Sequence, residues 1–167
     1  GLIEEMKPLA SKPDAFLEEI NQGLYRIFNQ VRSSIFVTSC YLVADILERK
    51  ILYANAGHPP PLLLRRSENR LLSLGALNDD PDIALGLAGD VRYVLQEAEV
   101  RKNDSLILYT DGAYEAENSE GEQLGIRRFR ESILQNAQQP VPELLGNLMA
   151  SLEDFCGTKD FGDDVCL

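Results

Sequence analysis

The spacing of apolar residues changes period early in the chain. From Pro13 onward they recur every three or four residues, which predicts an amphipathic helix with one face on a core. That stripe consists of Phe16, Leu17, Ile20, Leu24, Ile27, Phe28 and Val31. Residues 36–44 are instead apolar at both alternating positions, which predicts a strand covered on both faces. After a polar turn, residues 51–55 return and complete a hairpin. We therefore expect strand 36–44 to have an antiparallel neighbour on each edge, one of them being residues 51–55.

The rest of the chain continues with short strands followed by helices. Apolar runs predict strands at residues 62–65, 71–74, 91–100 and 105–110. Periodic apolar positions predict one helix from Ile126 to Leu134 and another from Leu144 to Phe155, with Pro142 at the start of the second. Residues 163–167 look like the opening of a last strand. Because hairpins and helices are segregated and no linker or repeat interrupts them, residues 1–167 are predicted to form a single α+β domain with an antiparallel sheet.

The charge balance excludes two classes of partner. The 167 residues include 16 Lys and Arg against 27 Asp and Glu, which gives a formal net charge of −11 with His neutral. Nucleic-acid binding depends on clustered Lys and Arg, and anionic membrane surfaces repel an acidic chain, so neither is expected as a partner. No apolar run approaches the roughly 20 residues that a membrane-spanning helix needs.

The cysteines, the histidine and the first residues add three expectations. Cys40, Cys156 and Cys166 are an odd number without close spacing, which favours reduced, mostly buried thiols in the cytoplasm. A zinc site is not expected, since His58 is the one histidine and no cysteine pair accompanies it. The chain starts without an initiator Met or a signal-peptide pattern, which favours an excised piece of a longer protein.

Two acidic turns are candidates for chemistry. The buried run 105–110 leads directly into Asp111 and Gly112, and Asp163 and Asp164 precede the last apolar residues. Taken alone, each is best explained as a turn, because Asp-Gly and paired acids are common there. The two predicted helices between them would return the chain so that both acidic ends lie side by side. Converging carboxylates are the ligands that Mg²⁺ or Mn²⁺ requires.

A third candidate is the tight turn at residues 54–61, which contains Asn55 and His58. Its run of prolines cannot continue a central strand. His58 has no partner nearby in the sequence for acid–base work, so a hydrogen-bonded turn histidine is the expectation.

Several blocks in series resemble one family. In order they are Tyr53–Pro60 (YANAGHPP), Ala84–Leu87 (ALGL), Asp104–Gly112 (DSLILYTDG), Glu115-Ala116, Gly121-Glu122 with Gly125, and Asp163-Asp164. The series is similar to the SpoIIE-type branch of the metal-dependent protein serine/threonine phosphatases, the PPM or type 2C-like family. The resemblance runs across the whole chain, and the NAGHP and YTDG blocks are its most specific parts.

The resemblance implies a fold and a site. The fold is an α-β-β-α sandwich of two antiparallel sheets flanked by helices. The complete family domain holds two Mn²⁺ or Mg²⁺ ions whose bridging water attacks the phosphorus of phosphoserine or phosphothreonine. Carried over by motif, Asp111 and Asp163 are metal ligands, while Gly112 and Asp164 lie beside the site, Asp164 as support rather than as a ligand. Asn55 and His58 belong to a loop near the core of the site, and His58 is not expected to be catalytic.

The chain departs from the family pattern in its opening part. The family's first strands carry a Gly-Asp-x-x-Gly-x-Gly block that supplies a metal-bridging Asp, and that block is missing ahead of the first helix. Gly89-Asp90 is followed by VRYV and does not replace it, and Cys166 stands where the family usually has Thr. The chain is therefore expected to be a partial phosphatase domain, as an excised fragment or a divergent domain. It should bind one metal ion or none and be weak or inactive as a catalyst.

Two functions remain open from the sequence. The first is removal of phosphate from a regulatory protein similar to an anti-anti-sigma factor, with a sensor or receiver domain upstream in the parent protein, as the resemblance implies. The second is a pseudophosphatase module that binds a regulatory partner without turnover. The presence of the first metal-bridging Asp in the parent protein discriminates between them.

Overall fold

One long helix, six strands and then three helices follow one another in the computed structural model, which describes residues 7–31, 35–75 and 82–167. The helices are α1 (Pro13–Gln30), α2 (Gly112–Glu115), α3 (Gly125–Gln135) and α4 (Val141–Cys156), with short 3-10 turns at Lys7–Leu9 and Arg66–Glu68. The strands are β1 (Ser39–Asp45), β2 (Lys50–Ala56), β3 (Leu62–Arg65), β4 (Arg70–Ser73), β5 (Gln96–Glu99) and β6 (Ser105–Ile107). The chain folds into two compact units. The first comprises the residues up to Pro60 together with Leu74–Arg101, and the second comprises Pro61–Ser73 together with Lys102–Leu167.

The first unit is a three-stranded antiparallel sheet with α1 packed on it. The strand order is β1-β2-β5, and the hairpin register places Cys40 opposite Asn55. Pro13 begins α1, where its missing N–H costs no hydrogen bond. Leu17 on the apolar face of the helix packs with Ala54 and Ala56 of β2 in one buried cluster. The first part of the predicted stripe thus covers this sheet, whereas Ile27 and Val31 at its end are 50% and 66% exposed.

The expectation of two neighbours for strand 36–44 is wrong among the described strands. β1 begins only at Ser39 and has β2 as its one strand partner among the described residues, while β5 takes the second edge of β2. β1 therefore lies at the edge of the sheet, and Phe36 and Val37 ahead of it remain 55% and 40% exposed. Ahead of β1, Val37 and Leu85 form an isolated antiparallel bridge with hydrogen bonds of 3.0 and 2.8 Å. β5 pairs with β2 rather than with β1, so β2 is the central strand of this sheet. The apolar side chains of residues 36–44 are accordingly half-buried or exposed rather than covered on both faces.

The second unit is a three-stranded antiparallel sheet with α3 and α4 packed on one face. The strand order is β4-β3-β6. Leu62 and Leu64 of β3 are fully buried and share one apolar cluster with Phe129 and Ile133 of α3 and with Leu148 of α4. The predicted helices at 126–134 and 144–155 are the ones that supply this cluster. The expected α+β class with two antiparallel sheets and helices is confirmed.

Residues 163–167, expected to open a last strand, form no strand here, although Cys166 bonds to Thr110 through the backbone. The expected strand at 91–100 is reduced to β5.

All three cysteines are free, with Cys40 and Cys156 half-buried and Cys166 exposed, so Cys166 departs from the expected burial. Burial raises the pKa of the Cys40 thiol to about 12, and the nearby carboxylate of Asp82 contributes to the same rise.

None of the helices in the described ranges is both long and apolar enough to cross a bilayer.

Asn21 ties α1 to the loop that follows residue 82. Its side chain is fully buried, donates through Nδ2 to the carbonyl of Ala88 at 2.8 Å and accepts from the backbone N–H of Gly86 at 2.8 Å. Both backbone groups depend on this amide because it supplies the acceptor for one and the donor for the other. The loop therefore keeps its position through one side chain.

Replacing Asn21 with alanine should lower the free energy of unfolding by about 2 kcal/mol, because it leaves a buried donor and a buried acceptor without partners. The measurement is urea denaturation at equilibrium. Asn29→Ala is the matched control, since Asn29 is exposed on the same helix, and its effect should stay within about 0.5 kcal/mol. Equal effects of the two substitutions would contradict the assigned role of Asn21.

Candidate functional site

Asp111 lies at the turn that follows β6. It is exposed and is the N-cap of the short helix α2, where its side chain accepts from the N–H of Gly112 at 3.2 Å. The bond reaches the first N–H of this helix, one of the N–H groups that have no partner within it. The turn therefore presents the Asp111 carboxylate at the surface of the second unit.

Asp163 lies in the C-terminal segment of the same unit. It is exposed, and its Oδ1 accepts from the backbone N–H of Asp164 at 2.8 Å. This local bond ties the carboxylate to the next backbone N–H and restricts its orientation. The side chain of Asp164 is also at the surface, while its backbone carbonyl is engaged with Thr110.

The hydroxyl of Thr110 joins the two acidic turns. Thr110 Oγ1 donates to the carbonyl of Asp164 at 2.8 Å and accepts from the N–H of Cys166 at 3.0 Å. The N–H of Thr110 donates to the carbonyl of Cys166 at 3.2 Å. Because Thr110 precedes Asp111 and Asp164 follows Asp163, these three bonds hold the two candidate ligands on adjacent segments.

Gly112 lets the two segments approach this closely. A Cβ at this position would lie 2.6 Å from the carbonyl oxygen of Asp164, a distance that real side chains do not adopt. The obstacle is backbone, so it cannot turn away as a flexible side chain would. The Asp-Gly pair thus has a steric reason in addition to its turn chemistry.

A cavity of about 350 Å³ lies beside these turns. Gly112 and Asp163 both line it, together with the acidic residues Glu115, Glu117 and Asp160. Burial raises the pKa of Tyr114 next to Glu115, and the carboxylates of Glu115 and Asp111 raise it further, so its phenol stays protonated at neutral pH. The cavity therefore carries negative charge and adjoins both candidate turns.

The side chains at the two turns match a divalent cation in ligand type but do not form a three-ligand cluster within the described residues. Exposed carboxylates on adjacent segments have the oxygen chemistry that Mn²⁺ and Mg²⁺ select. Within residues 7–31, 35–75 and 82–167, however, no three Asp, Glu, His or Cys side chains are placed so as to hold a metal ion together. Asp111 and Asp163 thus fit a cation by ligand type, and the roles of these two residues stay predictions.

Asn55 and His58 lie in the first unit and form a closed turn. Asn55 donates through Nδ2 to the carbonyl of His58 at 2.8 Å, and its Oδ1 accepts from the N–H of His58 at 2.9 Å. Gly57 between them has φ +73°, which favours glycine. Nδ1 of the His58 ring lies 3.4 Å from Oγ1 of Thr38. The expected hydrogen-bonded turn histidine is what the structure describes, and the location of this turn near a metal centre stays a prediction.

The structure therefore brings together four of the six residues singled out in the sequence, namely Asp111, Gly112, Asp163 and Asp164. Thr110 is part of the YTDG block in the sequence, but the block does not indicate that the Thr110 hydroxyl joins the two segments. It also missed Asp160 and Phe161 in the cavity wall. A signal existed for Thr110, since a β-branched hydroxyl at the end of a strand can bond to a neighbouring segment, whereas nothing local marks the other two.

Comparisons with known proteins show the family of the chain. A family model described as Stage II sporulation protein E (SpoIIE) matches residues 1–167. The chain is similar to Phosphoserine phosphatase RsbU of Bacillus subtilis (strain 168), with 26% identity over 147 residues that cover 86% of this chain and 42% of RsbU. The chain thus spans less than half of the length of this curated relative.

Two solved structures show the same fold. The SiaA-PP2C domain of Pseudomonas aeruginosa matches with a TM-score of 0.78 and 21% identity, covering 98% of this chain and 63% of that one. The phosphatase domain of SpoIIE from Bacillus subtilis, presoaked with Mn, matches with a TM-score of 0.65 and 17% identity, covering 98% of this chain and 68% of that one. At these identities the likeness establishes the architecture, and the chemistry has to be argued from the residues.

Proposed function

Because the chain belongs to the SpoIIE family, a PPM-type branch of phosphatase domains, we propose that it is part of a metal-dependent protein phosphatase. Its proposed reaction removes phosphate from phosphoserine or phosphothreonine of a regulatory protein. The similarity to a protein named as a phosphoserine phosphatase supports the substrate class. The observation that carries the proposal most directly is the pair of bonds at the Thr110 hydroxyl, which donates to the carbonyl of Asp164 and accepts from the N–H of Cys166, since they hold the two acidic turns side by side.

The residues proposed to hold Mn²⁺ or Mg²⁺ are Asp111 and Asp163. A bound divalent cation lowers the pKa of a coordinated water and offsets the charge of a phosphate group. On the protein side, the N–H of Gly112 and the N–H of Asp164 each donate to one of the two carboxylates and limit its rotation. These bonds would orient the carboxylates before a cation arrives, in the way that groups behind metal ligands generally do.

The cavity that adjoins the two turns is the proposed place for the phosphorylated side chain. Its acidic lining alone would repel a phosphate dianion, because like charges at short range raise the energy of both groups. Hydrolysis at this site therefore depends on positive charge from a cation. This dependence is the physical reason for expecting the activity to disappear when divalent ions are chelated.

The proposed substrate is a phosphorylated regulatory protein of the anti-anti-sigma type, with a sensor or receiver domain upstream in the parent protein. Both follow from the family rather than from any contact in the structure. The cytoplasm is the proposed location, in line with free cysteines and the acidic charge balance.

Catalysis by residues 1–167 alone is expected to be slow, because a two-metal centre needs a bridging carboxylate that this chain does not carry in the family's Gly-Asp-x-x-Gly-x-Gly block. The test measures phosphate release from a phosphoserine peptide in Mn²⁺ by two proteins. One is this chain, and the other is a longer version with that block restored ahead of α1. We expect robust hydrolysis from the longer protein and little from the shorter one.

Two variants of the longer protein complete the experiment. Asp111→Asn should remove the Mn²⁺-dependent hydrolysis, whereas Asp154→Asn, an exposed acid on α4, should leave it unchanged. Fast hydrolysis by the short chain that Asp111→Asn abolishes would show that the missing block is dispensable. Inactivity of both proteins would instead favour a pseudophosphatase that binds a regulatory partner without turnover.

A further inference from the structure

A second cavity lies in the second unit and shares no lining residue with the one beside Asp163. Its volume is about 480 Å³, within the range of small-molecule sites. Three segments line it: Arg66 and Ser67 in the turn between β3 and β4, residues 102–105 around the start of β6, and residues 138, 140 and 141 around the start of α4. Most of its polar lining consists of donors, in contrast to the acidic cavity described above.

Arg66 is a rigid cation in the wall of this cavity. Its Nε donates to Oγ of Ser105 at 3.2 Å, and its Nη1 donates to the carbonyls of Ala137 and Gln139. Gln138 donates in turn to the carbonyl of Arg66 at 2.9 Å. The acceptors in these bonds are neutral oxygens, so they fix the guanidinium without cancelling its charge. A cation held in this way loses little side-chain entropy when an anion binds.

The charges around the cavity leave positive charge in excess. Lys102 is exposed and lines the cavity together with Arg66. Asp104 is the one acidic residue among the described lining residues, and its buried carboxylate lies 3.7 Å from Nε of Arg65. Arg65 therefore offsets Asp104. A local excess of cations is notable in a chain with a net charge of −11, because most of its surface repels anions.

The remaining lining groups also suit an anion. Ser67, Asn103 and Gln138 contribute a hydroxyl and two side-chain amides. The 16-residue helix α4 begins at the cavity wall with Val141, and its N-cap Pro140 provides no side-chain cap. The N-terminal end of a helix adds partial positive charge to the cation pair already present.

We propose that this cavity binds a phosphate group, either as the free ion or as part of a small phosphorylated molecule. A phosphate dianion matches the two cations Arg66 and Lys102 in charge, and its several oxygens can accept from the surrounding hydroxyl and amide donors at once. The cavity is separate from the Asp111 and Asp163 turns, so this binding does not depend on the proposed phosphatase activity. It would be an accessory site for a phosphorylated ligand.

The test titrates the 167-residue chain with inorganic phosphate at constant ionic strength, with EDTA present so that divalent ions cannot recruit phosphate elsewhere. Binding is followed by calorimetry and by the backbone amide signals in NMR. We expect saturable binding with signal changes at Ser67, Asn103 and Gln138. Lys102→Ala should weaken binding about tenfold, as expected for loss of one charge-assisted contact, whereas Lys12→Ala, an exposed lysine of the first unit, should not change it.

Two further titrations identify the source of the phosphate group. O-phosphoserine and a nucleoside monophosphate replace inorganic phosphate, and tighter binding of either would assign the site to a phosphorylated molecule rather than to the free ion. Ser67→Ala is a second variant, and it should weaken the binding of all three ligands. The proposal is overturned if binding does not saturate, if Lys102→Ala and Lys12→Ala behave alike, or if the signal changes appear at Gly112 and Asp163 instead.

Discussion

Gly112→Ala should lower the free energy of unfolding by about 3 kcal/mol, the upper end of the usual cost of overpacking a buried position. The added Cβ would meet the carbonyl oxygen of Asp164 at 2.6 Å, so one of the two segments has to move. Movement of the C-terminal segment breaks the bonds from Thr110 to Asp164 and Cys166. The measurement is equilibrium unfolding in urea, followed by far-UV circular dichroism.

Gly146→Ala is the matched control for this substitution. Gly146 lies exposed in the middle of α4, and a Cβ there meets nothing within 4 Å. Alanine should stabilise the protein at this position by about 0.5–1 kcal/mol, since it favours the helix more than glycine does. If Gly112→Ala proved as mild as Gly146→Ala, the close approach of the two segments would be wrong.

The helices could be predicted well from the sequence because their information is local. The apolar stripe that starts at Pro13 and ends at Val31 corresponds to α1, which ends at Gln30. The predicted helix from Ile126 to Leu134 corresponds to α3, and that from Leu144 to Phe155 to α4. Each stripe alone specifies one buried face, so no knowledge of distant residues was needed.

Strand order and burial could not be predicted in the same way. An apolar pattern over residues 36–44 is compatible with a central or an edge strand, and only the strand order β1-β2-β5 of the folded sheet shows that β1 lies at the edge. The hairpin itself was predicted because its strands are separated by one short turn. Pairing across dozens of residues leaves no comparable trace in a single sequence.

The candidate site likewise has residues that the sequence identifies and contacts that only the folded chain shows. Asp111 and Asp163 could be named from their motifs, and the idea that the two acidic turns lie side by side followed from the helices between them. The two turns are joined by the Thr110 hydroxyl and by the space left at Gly112. Both features depend on residues 52 to 56 positions apart in the sequence, and the bond from Cys166 to Thr110 has a separation of 56. Such contacts are a property of the folded chain.

The central claim is that Asp111 and Asp163 bind the same divalent cation. If they do, the loss of either carboxylate should lower the affinity of the chain for that cation. Removing the charge of either carboxylate should weaken Mn²⁺ binding by more than about tenfold, because even changes to groups behind a ligand cost about 10–100-fold. Asparagine keeps the shape of the side chain and can still serve the turn, so folding should be retained in both variants.

Calorimetric titration of Mn²⁺ into the chain and into Asp111→Asn, Asp163→Asn and Asp154→Asn tests this claim most directly. The account predicts one weak site per chain that is lost in each of the first two variants and unchanged in Asp154→Asn, whose exposed carboxylate lies on α4. Binding that survives in either Asp111→Asn or Asp163→Asn with its original affinity would contradict the account.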